Sequence, residues 1–483
     1  MTRVLRTDSL VSIGSLLLRD AELDDGRRAD VRITAGRIAE IAPALPRRPG
    51  EERLDCRGGA LLPGLVDHHL HLHALAAHQR STPCGPPAVR DTAALGEALA
   101  KAAPDEHGWI RGTGYHEAVA GDLDAAALDR LHPHRPVRIQ HRSGALWILN
   151  TAAATALSLA HGDHPGIERH ADGTPTGRLW RADDWLRTRL PRTRPPGLAD
   201  IGHQLARFGI TAVTDATPDV APGALAAITA DMESGALPQR VHLLGAPLGA
   251  SSDGTPPGPR RPTIGPYKIV LADSGLPALD DLIELIRAAH TDGRAVAVHA
   301  VTREALVLLL VALREAGPRP GDRIEHAAVV PRELIGDIAA LGLCVVTQPG
   351  FPADRGDDYA RDVPADDHAD LYRCRSLTDA GIPLALSSDA PYGPLDPWAV
   401  IAAAVQRKTP LGDMLAPEET LTPAAALHAY LGPPEDPGGP PRRVRRGEPA
   451  DLVLLHTGRA TALADPTSDL VRMTLMGTAE PPD

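Results

Sequence analysis

Eight short apolar runs, with helical stretches between most of them, constrain this chain more than any other feature. They occupy residues 61–72, 210–215, 241–245, 267–271, 295–299, 323–327, 344–348 and 383–389. Apolar runs of this length, bounded by turn residues, read as buried strands. Strand–helix alternation sustained over eight strands predicts an α/β fold, a (β/α)8 TIM-type barrel.

Two segments fall outside this alternation. Residues 8–57, and again 447–455 and 470–475, carry short alternating strands joined by tight turns. Neither end can bury a core alone, so the expectation is one small β-sandwich built from residues 1–57 plus 415–483 around a barrel spanning 58–414. Between the first two barrel strands the chain is far longer than one helix requires. An insert over 80–205, with a strand candidate at 136–140 and helical stretches at 92–102 and 150–159, is expected to form a subdomain over the barrel mouth. Residues 247–266 are rich in Pro and Gly and read as an irregular loop, as do the Pro-rich segments 191–197 and 432–441.

Composition excludes several function classes. The 483 residues carry a net charge of −12, which argues against nucleic acid or an anionic membrane as partner and leaves a small-molecule substrate. The sequence is silent on oligomeric state, although barrels of this type often pair as a homodimer. Four cysteines lie far apart without a C-x-x-C pattern, as expected for reduced thiols of a cytoplasmic protein. The first residues lack the pattern of a signal peptide, and no apolar window is long enough for a membrane span. Only three of the 50 basic residues are lysine (Lys101, Lys268 and Lys408), a bias that base composition explains.

The first strand ends in Asp67-His68-His69-Leu70-His71. Side chains at i and i+2 of a strand share a face, so His69 and His71 converge and can share a metal ion. In a chain with 21 histidines such a pair also arises by chance. The barrel weighs against chance, because its reactive groups gather at the C-terminal ends of the strands. Near such ends fall His69, His71, Lys268, His299, His326 and Asp389. His299 or His326 alone reads equally well as a core histidine bonded to a carbonyl; six candidates on one rim do not.

At these residues the chain resembles the amidohydrolase superfamily and, within it, the amidohydrolase 3 branch. The carriers are Pro63-Gly64-Leu65-Val66-Asp67-His68-His69-Leu70-His71, Tyr267-Lys268-Ile269, Val298-His299-Ala300, Ile324-Glu325-His326-Ala327 and Ser388-Asp389-Ala390-Pro391, with Asp396-Pro397 behind. The resemblance implies one or two divalent metals, usually zinc, with Lys268 carbamylated to bridge a pair. Chemistry agrees: a cationic lysine repels a metal, whereas its carbamate is an anion. If Lys268 is instead salt-bridged, a single metal on the histidines and Asp389 remains.

The implied reaction is cleavage of an amide-type, non-peptide C–N bond by a metal-bound hydroxide, with Asp389 as general base and acid. The rivals are a mononuclear deaminase of the same superfamily and a catalytically silent ligand-binding barrel. For substrate contacts the candidates are Tyr115, Arg142 and Trp180 in the insert and Arg355 in the charged segment 348–359, each equally explained by packing or surface roles. Ala145 stands where the branch frequently has histidine, so no role carries over to it.

Overall fold

The computed structural model describes residues 2–6, 9–191, 195–250, 260–272 and 275–477. Residues 251–259 of the expected loop and 192–194 of the first Pro-rich segment lie outside these. The chain divides into two compact units, Met1–His73 with Gly197–Asp483, and Ala74–Pro196.

In the first unit each of the eight apolar runs contains a strand, and the strands run parallel. One sheet has the order Thr263–Ile264, Arg240–Leu243, Ile210–Asp215, Leu65–Leu70; the other runs Tyr267–Val270, Val296–Ala300, Arg323–His326, Cys344–Thr347, Leu384–Leu386. Main-chain hydrogen bonds join the sheets at both ends. The Lys268 N–H donates to Leu244 O at 3.1 Å, the Asp389 N–H to His69 O at 2.8 Å, and the His71 N–H to Ala390 O at 2.9 Å. The pair Thr263–Ile264 corrects the reading of 247–266 as wholly irregular. It is held by a hydrogen bond between Thr263 Oγ1 and His242 Nδ1 (2.8 Å), a tertiary contact that local composition does not signal.

The connecting helices follow from local chemistry. In Arg303–Ala316 the Thr302 hydroxyl accepts from the Ala305 N–H (3.2 Å), and Leu306, Leu309, Leu310 and Leu313 form the buried stripe. Gly317, at φ +85°, ends the helix in a conformation that disfavours other residues.

The terminal segments make two further sheets. One has the order Ser9–Ile13, Thr2–Arg6, Val471–Gly477, Leu452–Leu455, Leu61–Pro63; the other Arg37–Ala42, Arg28–Thr34, Ser15–Glu22, Glu52–Asp55. Leu16, Val31 and Ile33 from the second share one apolar core with Leu61, Leu452, Leu454 and Leu475 from the first.

In the second unit the single strand expected at 136–140 is Val137–His141, one member of a six-stranded sheet. Asn150 is fully buried there, and its side chain is saturated. Oδ1 accepts from the Val137 and Ala153 N–H groups, while Nδ2 donates to His132 O and Arg135 O. Among the described residues of the chain, no helix is long and apolar enough to cross a membrane.

Gly64, directly before the first barrel strand, lies against Thr211: a Cβ there would overlap the threonine side chain, which is 1% exposed. Gly64→Ala is therefore expected to destabilise the protein by about 1–3 kcal/mol, read as a lowered thermal midpoint, with Thr211→Ala in the same background recovering part of the loss. No recovery would show that the overlap is not the cause. Burial pushes the thiols of Cys56, Cys84 and Cys374 up to about 12. Thiolate is the reactive form, so at pH 8 a disulfide reagent should label these three only after unfolding, and labelling of native protein should grow as pH rises toward 12.

Candidate metal centre

His69 and His71 leave the first strand on one face, and Asp389 follows the eighth strand beside them. His71 Nε2 lies 3.2 Å and His69 Nε2 3.5 Å from Asp389 Oδ1. Ligand atoms on a tetrahedral ion with bonds near 2.1 Å are about 3.4 Å apart, so this triangle has the dimensions of a metal site. Among the described residues these three form the one group of histidine, cysteine or carboxylate side chains so disposed.

The remaining histidines close around them. The His326 ring centroid lies 4.8 Å from that of His69 and 4.4 Å from that of His299, and His326 Nδ1 is 3.9 Å from Asp389 Oδ2. Lys268 departs from expectation. It occupies the second position of its strand, two residues before Val270, which pairs with His299, rather than the strand's end. Its long side chain compensates, because the ammonium interacts electrostatically with Glu325 and Asp389.

Every imidazole whose partners are defined is oriented from behind. The Nδ1–H of His69 donates to Glu325 Oε2, that of His326 to Gln348 Oε1 (2.8 Å), and His71 Nδ1 is bonded to Thr217 Oγ1 (3.2 Å). That leaves the Nε2 lone pairs of His69 and His71 facing Asp389. Burial, and then the cationic charge of neighbours, holds His69 and His326 well below the usual histidine range, so both are neutral. Burial likewise lowers Lys268 to about 8 and raises Asp67 to about 7.

A divalent ion fits this donor set. His69 Nε2, Asp389 Oδ1 and Lys268 Nζ are all buried without a hydrogen-bond partner. Unsatisfied buried polar atoms are costly, and an ion answers the first two directly. Backbone strain collects here as well: His326, Ala327 and Asp389 have φ of +71°, +47° and +53°.

The substrate-contact candidates have defined partners of their own. Tyr115, 1% exposed, donates its hydroxyl to Gly121 O (2.7 Å). Trp180 is exposed, with its Nε1–H on Glu168 Oε2 (3.2 Å), and Arg142 donates its main-chain N–H to Tyr115 O (2.9 Å). All three belong to the Ala74–Pro196 unit. Arg355 stands at a kink in the helix Gly350–Asp362; it packs over Phe351 at 4.5 Å and donates to Tyr392 O. The Tyr392 ring in turn meets His71 edge-on at 5.6 Å. Sequence reasoning missed Glu325, Arg323, Thr217 and Gln348. The one available signal was a pair of charges, Arg323 and Glu325, two apart inside an apolar strand.

Residues 52–477 match the amidohydrolase family. The chain is 27% identical over 413 residues (75% of this chain, 76% of the relative) to YtcJ of Bacillus subtilis (strain 168), assigned as an amidohydrolase. It is 24% identical over 486 residues (88% and 89%) to N-substituted formamide deformylase of Arthrobacter pascens. The solved structure of an uncharacterized metal-dependent hydrolase from Pyrococcus horikoshii OT3 superposes with a TM-score of 0.74 at 19% identity, covering 95% of this chain and 99% of that one. This likeness gives the fold, a TIM-barrel-type α/β architecture.

Chelator-stripped protein should take up Co2+ or Zn2+ on re-exposure, counted by elemental analysis. His69→Ala and His71→Ala should each lower the bound metal, whereas Arg355→Ala should leave it unchanged. Equal uptake by all four proteins would exclude the triangle as the binding site.

Proposed function

The chain belongs to the amidohydrolase family and is a hydrolase acting on carbon–nitrogen bonds other than peptide bonds, and from that premise we propose that it hydrolyses a small amide at a divalent metal centre held by His69, His71, Lys268, His299, His326 and Asp389. The observation that carries this reading is the convergence of His69 Nε2, His71 Nε2 and Asp389 Oδ1, two of them buried without a partner. The same reading takes the two parallel sheets as one closed (β/α)8 barrel, supported by the hydrogen bonds at both junctions. It takes the terminal sheets as a β-sandwich, supported by their common core.

When bound, a divalent ion supplies Lewis acidity toward a carbonyl and toward water. The protein's own groups do the rest. Asp389 Oδ1 faces His69 and His71, which leaves Oδ2 to take the proton of the attacking water as the oxygen–carbon bond forms. Asp389 then hands that proton to the nitrogen as the carbon–nitrogen bond breaks, a step worth about 10²–10⁴-fold. Neutral His69 and His326 offer lone pairs without first losing a proton. Lys268, at about 8, is an amine more often than an ordinary lysine at neutral pH. That amine can add to CO2, forming a nitrogen–carbon bond and releasing a proton, and the carbamate is the anion a bridging ligand must be.

The relative named for N-substituted formamides makes such compounds the first substrates to try. Two metal ions per chain would accord with a carbamylated Lys268; one ion with unmodified lysine would give the mononuclear arrangement of a deaminase. On a confirmed substrate, Asp389→Asn should lower kcat by roughly 10²–10⁴-fold with the circular dichroism spectrum unchanged. Near-wild-type turnover in that variant would remove Asp389 from the proton's path.

A further inference from the structure

His69, His71 and His326 are not held alike at Nδ1. Thr217 and Gln348 present neutral oxygens to His71 and His326, but His69 rests on a carboxylate that is 0% exposed. Glu325 is itself held from below: the Arg323 Nε–H donates to its Oε1 at 2.5 Å. The two remaining guanidinium nitrogens of Arg323 are buried without a hydrogen-bond partner. The guanidinium, 2% exposed, therefore spends its one side-chain hydrogen bond on Glu325. Residues two apart on a strand share a face, so the chain of contacts runs along the strand Arg323–His326 in the order Arg323, Glu325, His69.

We propose that Arg323 and Glu325 are positioning residues for the metal centre, a buried relay that locks His69 with its proton on Nδ1 and strengthens Nε2 as a donor to a divalent ion. The inference rests on the metal-centre reading above and adds to it which ligand is tuned, and by what. A carboxylate accepting from the far nitrogen of a ligating imidazole fixes the tautomer and ring orientation and raises the basicity of the ligating nitrogen. The bond is charge-assisted, the stronger kind, and no water competes for it in a fully buried strand. Stability does not account for the pair, because a buried ion pair is often no better than apolar residues of similar volume. Its unused guanidinium nitrogens likewise show no network that it serves besides Glu325.

The test uses the full-length, chelator-stripped protein and Co2+ alone as probe, with affinity measured by competition against a chromophoric chelator. Glu325→Gln keeps an acceptor oxygen and removes the charge. The double variant Arg323→Gln with Glu325→Gln removes both charges, so no buried ion is orphaned if the single variant fails to fold. Folded variants are expected to bind Co2+ about 10–100-fold more weakly than wild type. A lowered thermal midpoint with unchanged Co2+ affinity is what a merely structural pair gives, and it overturns the relay while leaving the metal centre standing. Failure of wild type to bind Co2+ or Zn2+ overturns both. Independently of any charge variant, nitrogen NMR of 15N-histidine-labelled wild type, with His69 assigned through His69→Gln, should find the His69 proton on Nδ1; a proton on Nε2 overturns the relay.

Discussion

A buried lone pair must find a partner, and the rim of this α/β unit is arranged around that demand. The Nδ1 sides of His69, His71 and His326 are satisfied by protein atoms, and in His69 and His71 this turns Nε2 toward Asp389. Asp389 stands where two edges meet, since its own N–H closes onto His69 O. The left-handed backbone of Asp389, His326 and Ala327 is the local strain that accompanies this gathering of side chains.

One physical cause sets the protonation of the cluster. Removing water disfavours charge, so it drives histidines and a lysine toward their neutral forms and a carboxyl group toward its acid. His69, His326 and Lys268 move in the first direction, Asp67 in the second. For the bases this is useful chemistry, because a neutral imidazole binds a metal and a neutral amine reacts with CO2. The same burial that would make the cluster costly without a ligand thus prepares it for one.

Much of this was legible in the sequence because it depends on periodicity. Eight apolar runs mark eight strands, and the spacing of His69 and His71 follows from strand alternation. Glu325 was not legible for the same reason. Alternation sets neighbours on opposite faces, so a reading that chose His326 turned Glu325 away. The φ of +71° at His326 ends the regular strand and lets both residues reach His69. The helix that carries Arg355 was hidden by composition, since Pro352 and Gly356 in a charged segment disfavour a helix, whereas packing on Phe351 and a bond to Tyr392 O hold Arg355 at its kink. The Ala74–Pro196 sheet was likewise underread. Strands such as Ile110–Tyr115 and Pro175–Trp180 carry Gly and Arg inside them, which weakens the alternation that marks a strand.

The pairing of Leu61–Pro63 with Leu452–Leu455 bears on the order in which the molecule assembles. The strand that feeds directly into His69 and His71 finds its antiparallel neighbour only after nearly the whole intervening chain has left the ribosome. Contacts this distant in sequence form slowly, because the loop must close before the pairing rewards it. The segment that leads into His69 and His71 is thus among the last to acquire a complete surrounding, and a nascent chain carries Leu61–Pro63 as an open apolar edge until its final strands arrive.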